Sequence, residues 1–309
     1  MPTARPHDDM LRAAIVGCAL NCADYAEAVA RNIGGWATRI DLRAVIIVEG
    51  PSSDDTRDRL AAGLSEYEVR FLGAEFDARD LSRTERLARL RNRYLVALNP
   101  IRNDLDIVIV MDFDDVNATV VDVEGFGRAM DFMKENPAAA VFAHQSPHYY
   151  DIYALRSLDH PLHDCWKAVS RRPLWMSHSH ALDVYVAGPQ RKLGAATTPV
   201  EVASAFGGIA IYRARHLEGA VYAGEDPIIG PVCEHVALNR TVCANGGRLF
   251  VLPALHNRAP AYHLAPIRDR LPLLARIESP AALLRRGLAA IRRVSPSMNR
   301  GESRHEDSR

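Results

Sequence analysis

Cysteine is scarce in this chain of 309 residues, and its placement excludes two kinds of small-domain scaffold. The five cysteines are scattered, odd in number, and none of them belongs to a C-x-x-C pair. Zinc ribbons and disulfide-stapled domains need cysteines at close, paired spacings, so neither is indicated. Unpaired thiols fit a reducing compartment, and we therefore expect a cytoplasmic protein.

A net charge and long apolar runs are missing as well. Lys+Arg and Asp+Glu both count 38, so no excess of charge points to nucleic acid as a partner. No apolar run approaches the ~20 residues that cross a bilayer. The segment IVGC at 15–18 resembles a lipoprotein cleavage box, but its short apolar run follows Asp8 and Asp9, which favours a buried strand. The sequence predicts a soluble protein that lies at most on a membrane surface.

Several nucleotide-binding and hydrolytic motifs are also absent. The first apolar segment continues into GCALNC (17–22) instead of the turn G-x-G-x-x-G, which disfavours NAD binding. The chain contains no P-loop, no H-E-x-x-H and no G-x-S-x-G sequence. Dehydrogenases, P-loop NTPases, zincin proteases and α/β-hydrolases are therefore not indicated.

The first half of the chain alternates short apolar runs with amphipathic stretches. Strands are predicted at 13–20, 43–50, 67–73 and 106–111, and helices at 25–37, 52–64 and 81–100. This order is typical of an α/β fold with a mostly parallel central sheet and helices on both faces. Ligands of such sheets lie beyond the carboxyl ends of the strands.

The second half is less regular. The pattern predicts a helix near 122–136, strands at 138–146, 148–156, 203–214 and 248–255, and a helix at 231–247. Residues 157–199, rich in His, Trp, Pro and Arg, are expected to form an ordered segment that faces substrate. No internal repeat is visible, so we expect one domain over 1–265, with a donor-binding half at about 13–117 and an acceptor half at about 118–265. A tail follows at 266–309.

An acidic cluster ends one of the buried strands. The stretch DIVIVMDFDDVN (106–117) runs from apolar β-formers into Asp112, Asp114 and Asp115. Carboxylates this close repel one another unless a positive charge neutralises them. A solvated acidic turn is one interpretation; the other is a divalent metal that takes oxygen ligands and bridges to substrate phosphates.

The order of several short motifs indicates a family. VIIVEGPSSDDT (45–56) resembles the nucleotide-sugar site of GT-A glycosyltransferases, in which a strand ends in an acid and S-x-D-x-T follows. RTERLARLRNRYL before DIVIVMDFDD is similar to the Arg/Asn helix and D-x-D strand of that fold. With YDIYALR, SAFGGIAIYRA and CEHVALN, the chain resembles the CAP59-like fungal capsule-associated mannosyltransferases and their bacterial relatives over residues 13–258. The resemblance implies a single Rossmann-like GT-A domain, a GDP-mannose or UDP-sugar donor, Mn²⁺ or Mg²⁺, and retention at the anomeric carbon.

The donor side of this site is expected to contain residues from three strand ends and one helix. Asp114 is predicted to coordinate the metal, Asp112 to contact the ribose or the metal, and Asp115 to cap the next turn. The remaining candidates are Glu49 and Asp54 for base and ribose, Arg86, Arg91 and Asn92 for the donor, and His256 as a metal ligand. Several have a structural alternative: helix capping for Glu49 and Asp54, a solvated helix face for the arginines, and a surface loop for His256.

The sugar and acceptor side is expected to contain two further carboxylates. Glu234 opens a predicted helix and is a candidate catalytic or acceptor-orienting acid, although an acid there also complements the helix dipole. Asp151 is placed near the sugar or the acceptor by the family resemblance. Two other functions stay open: a nucleotidyltransferase that acts on sugar phosphates, and a non-catalytic module that binds a nucleotide sugar or glycan.

The tail has a charge pattern of its own. Residues 268–309 contain ten arginines and five acids, and leucines and isoleucines recur at near-helical spacing over 271–294. A basic amphipathic helix of this kind can lie in an anionic headgroup layer, which would suit an enzyme acting on a lipid-linked acceptor at the inner face of a membrane. The alternative is a helix that packs its leucines on the catalytic domain.

Overall fold

A computed structural model describes residues 10–74, 81–119, 122–227, 230–264 and 277–286. Most of the tail, including most of the helix predicted at 271–294, lies outside the described residues, as does Arg79 on the N-terminal side of the arginine-rich helix. No helix in the described ranges is long and apolar enough to cross a bilayer.

Ten strands and eight α-helices form the described part of the chain. The strands are β1 (Arg12–Ala19), β2 (Asp41–Glu49), β3 (Val69–Gly73), β4 (Ile107–Met111), β5 (Ala138–Ser146), β6 (Val200–Val202), β7 (Ile209–Arg213), β8 (Glu225–Asp226), β9 (Gly230–Pro231) and β10 (Arg248–Arg258). The helices are α1 (Ala23–Ala37), α2 (Thr56–Gly63), α3 (Arg83–Leu98), α4 (Val123–Glu135), α5 (Cys165–Ser170), α6 (His178–Leu182), α7 (Gly188–Gly194) and α8 (Glu234–Ala244).

Eight of the strands form one sheet in the order β3-β2-β1-β4-β7-β5-β10-β6. Strands β3, β2, β1 and β4 are parallel, and so are β5 and β10, whereas β7 and β6 run antiparallel to their neighbours. The central strands are buried on both faces, which explains their continuous apolar runs. The predicted α/β fold with a mostly parallel sheet is confirmed.

Helices cover both faces of this sheet. Because successive strand residues point to opposite faces, Ile15 of β1 joins the core formed with α1, α2 and α4, and Val16 joins the core formed with α3, α8 and the short helices α5–α7. Trp36 stacks on Phe126 at a centroid distance of 5.1 Å between α1 and α4. The prediction of helices on both faces is confirmed.

Hydrogen bonds fix helix α3 at its start and again at Asn92. It begins with a capping box, in which Ser82 accepts from the Glu85 amide and the Glu85 carboxylate accepts from the Ser82 amide. Asn92 then exchanges two hydrogen bonds with the backbone of Tyr222, at 2.8 and 2.9 Å. These contacts hold Arg91, the preceding residue, at the carboxyl edge of the sheet.

The segment between β5 and β6 differs from the prediction. Residues 148–156 form turns instead of a strand, and only Arg156 makes a β-bridge, with Ser204. The turns satisfy local backbone groups, since the Tyr149 amide donates to Gln190 O and the Tyr150 amide donates to Gln145 Oε1. The alternation of buried residues therefore reflects a folded turn, which the sequence pattern alone does not distinguish from a strand.

The described part of the tail packs on the domain. Ile277 forms a β-bridge with Met176, and the Glu278 carboxylate pairs with Arg172 at 2.8 Å and with Arg286 at 3.3 Å. A helical turn follows at 280–286, in which Leu284 is exposed. The ion pair with Arg172 and the β-bridge with Met176 therefore connect this short piece to the domain.

Candidate active site

Two cavities adjoin at the carboxyl ends of the parallel strands. The first, here called the β1 cavity, has a volume of about 680 Å³ and reaches the ends of β1 and β2 at Cys18, Ala19 and Gly50. The second, called the α8 cavity, has a volume of about 490 Å³ and reaches the start of α8. Their shared wall consists of Arg83, Leu87, Arg91, Asp112 and Asp114. The structure thus places the acidic end of β4 between two spaces.

Arg91 links the two acidic parts of this cleft. Its Nε donates to Glu234 Oε1 and its Nη2 donates to Asp112 Oδ1, both at 3.0 Å. Arg91 and Glu234 are 5% and 4% exposed, and the guanidinium lies 5.0 Å from the centre of the Phe206 ring. One buried cation therefore compensates two carboxylates that lie 122 positions apart in sequence, between 112 and 234.

Arg91 also has an unused donor. Its Nη1 is buried and has no hydrogen-bond partner among the described residues. A buried donor without a partner costs about 1–3 kcal/mol. Such a group is suited to donate a hydrogen bond to a ligand that enters the cleft.

Asp114 differs from its neighbours in both contacts and charge. Its carboxylate accepts from the Val116 amide at 3.2 Å and thereby caps the 3₁₀ turn Asp115–Asn117. The side chain keeps contact with solvent, yet the surrounding protein partly desolvates the carboxylate, and the charge of Asp112 repels it. Together these effects raise the pKa of Asp114 to about 7. The capping role predicted for Asp115 belongs to Asp114, and Asp115 instead accepts from the Tyr262 hydroxyl at 2.6 Å.

Two glycines between Phe206 and β7 hold the acids in place. Gly207 and Gly208 have φ of 69° and 81°, which favours glycine. A Cβ at Gly207 would lie 2.6 Å from Ala143 O, so a larger residue does not fit. The Gly208 carbonyl accepts from the Asp112 amide, and the Gly207 amide donates to Asp151 Oδ2 at 3.1 Å. The Gly-Gly step therefore positions Asp112 and Asp151 through backbone hydrogen bonds.

Asp151 lines the α8 cavity, as does Glu234. Burial raises the pKa of Asp151 to about 6, with a further contribution from the charges of Asp112 and Glu234. Hydrogen bonds from the amides of Ala154 and Gly207 act in the opposite direction. A carboxylate that titrates near neutral pH can accept a proton from a substrate and release it again.

His235 also lines the α8 cavity, and it was not among the sequence candidates. The side chain is fully buried, and its ring stacks on Phe206 at a centroid distance of 3.8 Å. Neither ring nitrogen has a hydrogen-bond partner among the described residues. Burial, with the charge of Arg91, lowers the pKa of His235 well below its usual range, so the imidazole is neutral.

The histidine that reaches the cleft after β10 is His263. It lines the α8 cavity beside Asp112 and Asp114 and stacks on Tyr150 at 4.7 Å. His256, the predicted metal ligand, is instead bound to Ser146 Oγ at 2.8 Å and lies 3.4 Å from His144, and it lines neither cavity. His256 lies within β10, where it pairs with His144 of β5 directly after an irregularity in the strand register. His263 lies in a 3₁₀ turn beyond β10.

Glu49 and Asp54 are occupied by contacts within the protein. Glu49 ends β2 and pairs with Arg57 at 3.4 Å. Asp54 accepts from the Thr56 hydroxyl and from the Ala23 amide, which lowers its pKa and ties the beginnings of α1 and α2 together. Their neighbours Gly50 and Pro51 line the β1 cavity, and contact of these two acids with a nucleoside stays a prediction.

The α3 candidates separate into two groups. Arg86 and Arg91 line the β1 cavity, as the resemblance predicts for donor-binding residues. Asn92 faces the Tyr222 loop and uses its amide group on that backbone. This geometry assigns Asn92 a structural role. Arg83, one turn before Leu87, was missed as a candidate although it lines both cavities.

The cleft fits a divalent cation that ligand oxygens would help to coordinate. Among the described residues, no group of three or more His, Cys, Asp or Glu side chains forms a ready-made metal centre. Asp112 and Asp114 are hard oxygen donors, and the pKa of Asp114 is raised by burial first and by the charge of Asp112 second, both of which a bound cation would offset. Mg²⁺ is commonly held by one or two carboxylates plus substrate phosphates, which matches this pair.

The family of the chain follows from a comparison with known sequences. The model of the family described as Cryptococcal mannosyltransferase 1 matches residues 41–236, well over half of the chain. The chain belongs to this family. The matched range begins at β2 and ends just after Glu234 and His235, so it contains every carboxylate that lines the cleft. The resemblance predicted from the motifs is confirmed, and the chain is a member of a glycosyltransferase family.

Three solved structures are similar to this chain. The mannosyltransferase PcManGT from Pyrobaculum calidifontis, in complex with GDP-Man and Mn²⁺, is 13% identical, with 83% of this chain and 59% of that chain covered and a TM-score of 0.46. TarS 1–349 of S. aureus is 11% identical over 81% and 60% of the two chains, with a TM-score of 0.45. Glucosyl-3-phosphoglycerate synthase of M. tuberculosis is 15% identical over 91% and 79%, with a TM-score of 0.42.

The chain spans about 60% of the length of the first two solved proteins. No curated protein matches the sequence.

Proposed function

We propose that the chain is a GT-A-type hexosyltransferase that moves a sugar, most simply mannose from GDP-mannose, to a hydroxyl of a glycan or lipid-linked acceptor. The observation that carries the proposal is the position of Asp112 and Asp114 in the wall between two cavities. A nucleotide sugar has a nucleoside and a sugar on opposite sides of a pyrophosphate, so a carboxylate pair at the boundary lies where a metal-bound pyrophosphate belongs. Membership of a mannosyltransferase family supports the same donor.

In this arrangement the nucleoside occupies the β1 cavity and the sugar enters the α8 cavity. Asp112 and Asp114 would hold Mn²⁺ or Mg²⁺, which supplies Lewis-acid neutralisation of the leaving diphosphate when bound. Arg83 and Arg86 are exposed cations of the cleft and suit the remaining phosphate oxygens. Arg91 fixes the positions of Asp112 and Glu234 through Nε and Nη2, and its Nη1 is left to donate to a bound ligand.

The α8 cavity offers two carboxylates for the reacting centre. Glu234 is held by Arg91 in one orientation and suits stabilisation of positive charge on the sugar ring. Asp151, with a pKa of about 6, suits the removal of the acceptor proton near neutral pH. Retention at the anomeric carbon is the stereochemistry that family membership favours, and it is part of the proposal.

Acceptor and location extend the proposal. We expect a cytoplasmic enzyme whose basic tail gives it a peripheral contact with the inner face of the membrane. The ten arginines between residues 268 and 309 supply the charge for an anionic surface. The described residues 277–286 are held to the domain through Glu278, so a membrane contact would depend on the rest of the tail.

A panel of nucleotide sugars tests the proposed reaction and its two rivals. The purified chain is incubated with GDP-mannose, UDP-glucose and UDP-N-acetylglucosamine in Mn²⁺, and the phosphate products are separated by anion exchange. A glycosyltransferase releases the nucleoside diphosphate, and GDP from GDP-mannose is expected. A nucleotidyltransferase would instead form pyrophosphate from a nucleoside triphosphate and a sugar phosphate. A binding module would raise the melting temperature with a nucleotide sugar and release nothing.

A further inference from the structure

A third cavity adjoins the α8 cavity, and most of its lining is apolar. It has a volume of about 650 Å³ and is here called the apolar cavity. Its wall consists of residues from the turn after β5, from α7 and from β6, together with their neighbours: Ile152, Leu155, Arg156, Ser157, His163, Cys165, Val184, Tyr185, Gly188, Pro189, Lys192, Leu193, Ala196, Val200, Glu201 and Val202. None of the sequence candidates for the site lies in this wall.

The charged groups of this wall are few and mostly compensated. Arg156 is buried and pairs with Asp164 at 2.7 Å. Glu201 pairs with Arg248 at 2.6 Å. Lys192 of α7 is exposed. An apolar ligand that entered the cavity would therefore leave no buried acid without a partner, and it would cover aliphatic and aromatic side chains that now meet solvent.

The apolar cavity shares part of its wall with the proposed reaction site. Ile152 and Cys165 line both this cavity and the α8 cavity. Ile152 directly follows Asp151, the carboxylate proposed to receive the acceptor proton. An acceptor whose hydroxyl meets Asp151 would reach the apolar cavity across this shared wall.

A π-helical turn separates the two spaces. Residues Asp183–Ala187 form this turn between α6 and α7. Val186 lines the α8 cavity, whereas Val184 and Tyr185 line the apolar cavity. Single π-helical turns are rare and occur frequently at functional sites. Here the turn divides successive side chains between a polar and an apolar space.

We propose that the apolar cavity is an acceptor subsite that binds an alkyl chain attached to the acceptor sugar. The inference rests on the proposed function, because it takes the α8 cavity as the place of the acceptor hydroxyl. It commits to a lipid-linked acceptor instead of a free glycan. A bound alkyl chain would cover apolar side chains that the protein alone leaves in contact with water. Burial of apolar surface is the usual driving force for ligands of such cavities.

Isothermal titration with two glycosides tests the subsite without depending on turnover. The probes are octyl α-mannoside, below its micelle concentration, and methyl α-mannoside, added to the full chain. The octyl compound is expected to bind at least tenfold more tightly than the methyl compound. Equal affinities, or no binding of the octyl compound, would overturn the proposal.

Three variants locate the bound chain. Val184 is 42% exposed at the apolar cavity, so Val184→Asp adds a charge there at little risk to folding. Val96→Asp makes the same change at a residue of α3 that is 67% exposed and lines neither cavity. Ala196→Phe fills the apolar cavity. Val184→Asp and Ala196→Phe should each remove the tenfold preference for the octyl compound, and Val96→Asp should keep it.

The outcomes separate this proposal from the proposed reaction. If the preference for the octyl compound survives both Val184→Asp and Ala196→Phe, the alkyl chain binds elsewhere and the subsite is refuted. Loss of the preference in these two variants, together with GDP release from GDP-mannose that matches the wild-type chain, supports both proposals. Loss of the preference without any turnover of a nucleotide sugar would sustain the subsite and refute the transferase reaction.

Discussion

Arg91 offers the sharpest test of how the cleft is held together. We expect Arg91→Met to lower the free energy of unfolding strongly, because Glu234 keeps its charge in a side chain that is only 5% exposed. The methionine fills much of the same space on α3, so the change removes charge with little loss of volume. Asp112, at 20% exposure, retains partial access to water and contributes less to the loss.

The expected size follows from the geometry. Two charges about 3–4 Å apart interact with roughly 4 kcal/mol at the effective dielectric constant of about 20 that suits protein sites. The desolvation of Arg91 offsets part of this energy, and removal of one partner of a buried ion pair typically costs about 3–5 kcal/mol. We expect a loss of about 3 kcal/mol in urea unfolding followed by circular dichroism.

The control is Arg86→Met, on the same helix. Arg86 is exposed, and surface substitutions usually change stability by no more than about 0.5 kcal/mol. The double variant Arg91→Met/Glu234→Gln should recover part of the lost stability, because it removes the Glu234 charge that the single variant leaves buried without a partner. If Arg91→Met is no less stable than Arg86→Met, the buried ion pair is not what holds α3 to α8.

Three further predictions concern protonation, an unpartnered side chain and the tail. The pKa of Asp151 is raised to about 6, so the stability that its protonated form contributes is complete below about pH 4 and is lost as the pH rises through 6. Acidification from pH 7 to 4 should therefore raise the unfolding free energy by at most about 3 kcal/mol through this group. Asp151→Asn should lack that component in urea titrations, and an unchanged pH profile would contradict the prediction. His235→Phe should stabilise the chain by about 1 kcal/mol in urea unfolding, because a ring that stacks on Phe206 replaces unpartnered nitrogens; a destabilised variant would show that the nitrogens have partners in solution. The full chain should sediment with anionic liposomes and lose that affinity at high salt, whereas a chain ending at residue 266 should not; equal binding of both would assign the tail a structural role.

Much of the architecture could be predicted because local patterns and layer rules agree. The alternation of apolar runs and amphipathic stretches predicts β1 to β4 and the helices between them, and parallel strands that need crossovers leave few other arrangements. The insertion of β7 between β4 and β5 could not be predicted in this way. It depends on the Gly207-Gly208 step, whose positive φ values and close backbone contacts are properties of the packed structure.

The candidate site was predicted where the chemistry follows from a strand end or a helix start. Asp112, Asp114 and Glu234 are examples, since strand ends meet at one edge and an acid at a helix start is directed by the helix. Arg91 and Asn92 show what the sequence does not resolve: they are adjacent on α3, and the ~100° between successive helical residues directs one to the cleft and the other to Tyr222.

Histidines were the least predictable members of the site. His256 lies within β10, whereas His263, seven positions later, lies in a 3₁₀ turn beyond the strand. The conformation of that turn decides the direction of the His263 side chain. His235 follows a predicted acid directly, and the sequence gives no sign that its two nitrogens lack partners. That property emerges only from the packing of Phe206 and Tyr222 around the ring.

The most direct test of the account measures GDP release from GDP-mannose by the wild-type chain and by Asp114→Ala, each with Mn²⁺ and with excess chelator. The side chain of Asp114 caps only a short 3₁₀ turn, so the variant should retain the circular dichroism of the folded chain. We predict release by the wild-type chain in Mn²⁺, and essentially none in chelator or with Asp114→Ala. Full release in chelator, or by a folded Asp114→Ala chain, would contradict the assignment of the cleft between the two cavities as a metal-dependent transfer site.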